Sequence, residues 1–152
     1  MTRHIITSPK VRTPRRAFSN GVRIGQTLHV AGQLAIDLEG NVVGAGDVRV
    51  QTRQVLENVR AVVEAAGGTL RDVIKTTVYL TDIAHHGAMN EVYAEFFISE
   101  FPARTTVQVA GLAPGPHGRR PSVPGGDRRG SHPRRRRLTA VAPHMETISW
   151  QP

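Results

Sequence analysis

Between Pro114 and Arg137 the chain places five of its ten prolines, five glycines and eight arginines. Like charges mixed with residues that break both helix and strand cannot bury enough apolar surface to offset the entropy of ordering, so this segment is expected to be disordered. Folding is thereby confined to what precedes it, with at most a short piece after it. The expected organisation is an α+β domain over residues 1–113, an Arg/Pro/Gly-rich insertion over 114–137, and a possible final strand with tail over 138–152. Charge divides the same way. Residues 1–112 hold 12 Lys/Arg against 10 Asp/Glu, whereas residues 113–152 hold 8 Arg against two acids, Asp127 and Glu146. The body is close to neutral, so nucleic-acid binding rests on the tail alone, where no aromatic is interleaved before Trp150.

The body is punctuated like one ordinary domain. Short β-like runs at Val22–Ile24, Thr27–Ala31 and Gln33–Ile36 lead to a turn at Asp37–Asn41. A helix is expected from Asp47, a suitable N-cap, with Val55, Leu56, Val59, Val62, Val63 and Ala66 at helical spacing and Gly67-Gly68 as its stop. Val73–Thr81, rich in β-branched residues, reads as a central strand. A second helix over about Ala84–Glu100 carries Met89, Val92, Tyr93, Phe96 and Phe97 on one stripe. That stripe reads as core, the alternative being an aromatic wall for a ligand. Pro102 closes the helix and Arg104 opens the next strand. Two helices packed on one face of a mostly antiparallel or mixed sheet leave the other face open, and another subunit is the expected cover.

Several chemistries are absent. There is no cysteine, hence no disulfide, thiolate metal site or sulfur nucleophile. No apolar run approaches the roughly 20 residues that span a bilayer, and the start lacks a secretion signal, so a cytoplasmic chain without membrane contact is expected. Gly40, Gly44 and Gly46 complete neither a P-loop nor a dinucleotide fingerprint, and no Gly-x-Ser-x-Gly occurs. His85 and His86 are adjacent on a helix start and diverge, so no metal site is expected. Arg104 remains. Within Phe101–Ala110 it stands at the mouth of an apolar strand, either in a structural ion pair or as a two-pronged donor to a carboxylate.

Here the sequence resembles a known family. The stretch Phe101-Pro-Ala-Arg-Thr-Thr-Val-Gln-Val-Ala110 is similar to the segment around the substrate arginine of the RidA/YjgF family, the reactive-intermediate enamine/imine deaminases. Val30-Ala-Gly-Gln33, Gln51–Asn58 with Glu64–Gly67, Asp72–Leu80, and Met89-Asn90 with Tyr93–Phe97 resemble further family segments, in order, over about residues 15–113. The resemblance implies a chorismate-mutase-like α+β fold assembled as a homotrimer, with clefts between subunits. It implies hydrolysis of 2-aminoacrylate and related 2-imino acids to 2-keto acids and ammonia, without a cofactor. By the same pattern Arg104 holds the substrate carboxylate, backbone near Gly32 and Thr106 orients imine and water, and Asn90 lines the cleft. The alternative on this fold is a trimer that binds small carboxylates without turnover.

Two positions depart from the pattern. Phe18 stands where many relatives carry a tyrosine, so a hydroxyl contact is lost. The family's last strand carries a glutamate that helps activate water; if Ala140-Val141 ends that strand here, its position falls on Arg135, which cannot act as a base. The abrupt change of composition after residue 113, with family-like text resuming at Leu138, is what a local disturbance of the reading frame produces. Resequencing the source DNA tests this, and an undisturbed frame refutes it.

Overall fold

The computed structural model describes residues 2–15 and 17–113, and the backbone of 141–149. Six strands form one mixed sheet: β1 (Arg3–Ile6), β2 (Gly21–Ile24), β3 (Thr27–Val30), β4 (Lys75–Leu80), β5 (Ala103–Gln108) and β6 (Val141–Ser149). Their spatial order is β1-β2-β3-β6-β4-β5. All pairings are antiparallel except β4 with β5, which run parallel, with Thr76 beside Arg104. Helices α1 (Val48–Ala65) and α2 (His86–Phe96) lie on one face, as the patterning predicts.

Local chemistry sets the ends of α1. The Asp47 carboxylate accepts from the backbone N–H of Arg49 (2.9 Å) and Val50 (3.2 Å), satisfying donors that the first turn leaves free. At the other end Gly67, at φ 91°, takes the left-handed conformation that a Cβ would penalise. Its N–H reaches the Glu64 carbonyl and that of Gly68 the Val63 carbonyl, both at 3.0 Å, which closes the helix in a Schellman turn. Arg23, on β2, donates to the Ala66 carbonyl at 2.9 Å and places a cation at the negative end of the helix.

Leu56, Val59, Val62 and Val63 of α1 share one core with Leu28, Val30, Val78, Leu80, Met89, Tyr93 and Phe97. The helix meets the sheet closely at Gly21, where a Cβ would lie 2.9 Å from Val62 Cγ1. The two helices are tied on their exposed side by Arg49–Glu91 (2.5 Å) and Arg53–Glu95 (2.6 Å). Exposed pairs of this kind contribute little individually.

Four expectations need correction. Gln33–Ile36 is not a ladder strand, since only Ile36 makes an isolated bridge, to Val42. Its carbonyls are taken elsewhere: Asn58 of α1 donates to those of Leu34 (3.1 Å) and Ile36 (3.2 Å), and the Ile36 N–H folds back onto Leu34. β1 was not expected; four residues beginning with Arg3-His4 are too short to show alternation. The second helix is shorter than Ala84–Glu100, because Ile83–His85 is a separate 3₁₀ turn and Glu100 adopts φ 52° before Pro102. The last strand runs on to Ser149 instead of ending at Val141, so the placement of the family glutamate at Arg135 loses its anchor. Arg135 and the expected disordered insertion at 114–137 lie outside the described residues, as does Leu138, where the final strand was expected to start.

Candidate functional site

The parallel pairing of β4 with β5 sets Arg104 beside Thr76 at the start of both strands. Side chains alternate along a strand, so Arg104 and Thr106 share a face, roughly 7 Å apart, and it is the face that meets α2. Arg104 is half-buried. Its guanidinium carbon lies over the Tyr93 ring, 4.6 Å from the centroid. Tyr93 is in turn fixed by its hydroxyl, 2.7 Å from the Thr76 hydroxyl, and by Phe97, whose ring centroid is 4.6 Å away.

Thr76 is fully buried and Tyr93 only 4% exposed, so their mutual hydrogen bond satisfies groups that have no access to water. Burial pushes the Tyr93 phenol above its usual value, against the opposing pull of the Thr76 hydrogen bond and the Arg104 charge. The neutral phenol is therefore kept across the physiological range.

The four ion pairs among the described residues use Lys10, Arg49, Arg53 and Arg60. Arg104 is in none of them, which removes the structural ion pair as its explanation among the described residues. A guanidinium stacked on a ring spends its face and keeps its in-plane N–H groups for an acceptor. The acceptor that matches this fork is a planar carboxylate or a phosphate.

Other expected site residues are distributed unevenly. Asn90 is on α2, one turn before Tyr93, and exposed. Gly32 is exposed just after β3, which lies three strand spacings, about 14 Å, from β5. Phe18 is 54% exposed ahead of β2, one strand further away. Within one chain, then, Arg104, Thr106 and the helix carrying Asn90 are neighbours, while Gly32 and Phe18 are not. Thr76 is not among the expected site residues, and Tyr93 enters only through the alternative reading of the α2 stripe as an aromatic wall for a ligand. The available signal was a single hydroxyl-bearing ring in the α2 stripe, since a buried tyrosine needs a partner for its oxygen.

No group of three or more His, Cys, Asp or Glu suited to a metal occurs among the described residues, and no described helix is long and apolar enough to cross a membrane. The expected basic arm lies outside the described residues.

Residues 9–117 match the family model described as Endoribonuclease L-PSP. A RutC family protein of Pyrococcus abyssi is 41% identical over 112 residues, which are 74% of this chain and 88% of that protein. The chain belongs to the RidA/YjgF family. The crystal structure of the E. coli YjgF gene product matches with a TM-score of 0.69 at 29% identity, over 93% of this chain and 98% of its own. E. coli TdcF, solved with bound serine, matches with a TM-score of 0.69 at 30% identity, over 94% and 98%. The RidA/YjgF match ends at residue 117, close to where the composition changes.

Proposed function

We propose that Arg104 anchors the carboxylate of small 2-imino and enamine acids, and that the chain hydrolyses them to 2-keto acids and ammonia. The observation that carries this reading is a half-buried guanidinium, stacked on Tyr93, with no acidic partner among the described residues. Serine bound to E. coli TdcF supports it, because serine presents the same α-carboxylate beside a nitrogen. Water adds to the imine carbon, the carbon–nitrogen bond breaks and ammonia leaves. Holding the carboxylate fixes that carbon relative to the attacking water, which replaces an entropic barrier with binding energy. Backbone groups at Thr106 would orient the imine, with Asn90 beside the cleft.

Gly32 and Phe18 stand too far from Arg104 to join it within one chain, so their part in the cleft would come from a neighbouring copy. A homotrimer that covers the open sheet face meets this need. That face carries Ile5 (50% exposed), Ile24 (41%) and Val107 (37%), apolar surface that association would bury. Phe18 supplies an apolar contact where a hydroxyl is usual in the family.

The test is the rate of imine loss, with 2-imino acid generated by an amino-acid oxidase and trapped chemically, for the unmodified chain and Arg104→Ala. Acceleration by the unmodified chain alone supports the deaminase. Binding of 2-oxobutanoate without acceleration supports the second reading, carboxylate binding without turnover. Its motive is the altered C-terminal region, where β6 carries one acid, Glu146.

A further inference from the structure

Tyr93 does more than fill the core. Its ring lies under the Arg104 guanidinium, its hydroxyl meets that of Thr76 at 2.7 Å, and Thr76 is the register partner of Arg104 on the adjoining strand. The three residues close a triangle through β4, α2 and β5. Two of its corners are buried, so the phenol and the threonine hydroxyl have no water to turn to and hold each other. Phe97 packs against the same ring and limits its tilt. A ring so fixed presents one constant surface to the guanidinium.

An unsupported arginine samples many rotamers, and ordering it costs free energy each time a ligand binds. A guanidinium already seated on a ring has lost that freedom in the folded protein. One side of it is taken up by the ring, and its N–H groups directed away from Tyr93 remain for a ligand. We infer that Tyr93 is a positioning residue for Arg104, locked in turn by Thr76, and that together they present the guanidinium edge to a ligand carboxylate before the ligand arrives. This rests on Arg104 being the carboxylate anchor, as proposed above. It adds that affinity depends on two side chains that do not touch the ligand.

The experiment uses the full chain and its Tyr93→Leu, Tyr93→Phe, Thr76→Val and Arg104→Ala variants. Affinity for 2-oxobutanoate is measured by calorimetry, and the Arg104 Nε–Hε resonance by nitrogen-15 NMR. Circular dichroism shows that each variant is folded. Tyr93→Leu is expected to weaken binding about threefold to thirtyfold, the range of a ring–cation contact, and to abolish the ring-current shift of the Arg104 signal. Tyr93→Phe, which keeps the ring, restores most of the affinity, and Thr76→Val gives a smaller loss in the same direction. Positioning is overturned if Tyr93→Leu binds like the unmodified chain while Arg104→Ala has lost binding, or if Leu and Phe at position 93 weaken binding equally. If the unmodified chain does not bind, or Arg104→Ala binds as well as it does, the anchor itself is wrong and the positioning role falls with it.

Discussion

Replacing Thr76 by valine removes one hydroxyl at nearly constant shape from a position with no solvent exposure. The lost hydrogen bond is only part of the cost. The Tyr93 hydroxyl, 2.7 Å away and itself buried, is left without its partner, and a stranded buried polar group costs about 1–3 kcal/mol. Tyr93→Phe strands the Thr76 hydroxyl in the same way and is expected to cost about 1–2 kcal/mol, the lower value because a threonine hydroxyl can rotate toward a backbone carbonyl. The double variant removes both polar groups, leaves nothing stranded, and should cost less than the two single changes together. The expected coupling is about 1–2 kcal/mol. Urea unfolding of the four proteins at one protein concentration measures it, since association would otherwise shift apparent stability. Single effects that add to within about 0.5 kcal/mol would show that the two hydroxyls do not depend on each other.

Three further outcomes are expected. Gly21→Ala drives a methyl group against Val62 and should destabilise the fold by about 1–3 kcal/mol. Val62→Ala in the same chain should cost less than it does alone, as a denaturation cycle will show. Asn58→Ala withdraws the donor shared by the Leu34 and Ile36 carbonyls and should cost about 1–3 kcal/mol; hydrogen exchange at the Val43 amide, which bonds the Ala35 carbonyl in the same loop, should accelerate. Tyr93 has a raised folded value, so its contribution is fully present below the ordinary phenol value of 10.0 and is lost as pH rises toward the folded value. Stability measured from pH 8 upward should therefore fall less steeply in Tyr93→Phe.

The parts of the fold that could be read in advance are those where several local signals agree. Asp47, the valine-rich stripe and Gly67-Gly68 each mark α1 independently, and the observed helix runs from Val48 to Ala65. The β-branched run at Val73–Thr81 likewise yields β4. Gln33–Ile36 misled because its short alternation is the same whether its carbonyls pair with a strand or with Asn58, and only the tertiary structure decides which. Four-residue β1 has too few positions to show a period. In the site, Arg104 was legible because a lone cation in an apolar strand demands an explanation. Tyr93 was not, because one side chain serves both as core and as platform, and helical spacing reports only the first role.

The parallel pairing of β4 and β5 has a kinetic meaning. An antiparallel neighbour can pair through a tight turn as soon as it is available, but a parallel strand must first pass through a crossover, here α2. Arg104 therefore meets Thr76 only when the loop that contains α2 has closed, a shorter closure along the chain than those that bring β6 to β3 and β4. A partly folded chain would possess the arginine without its platform and would have little hold on a carboxylate. On the proposed reading of Arg104 as the carboxylate anchor, ligand affinity would serve as a gauge of completed folding, and saturating ligand should raise the unfolding midpoint by drawing the population toward the finished state alone.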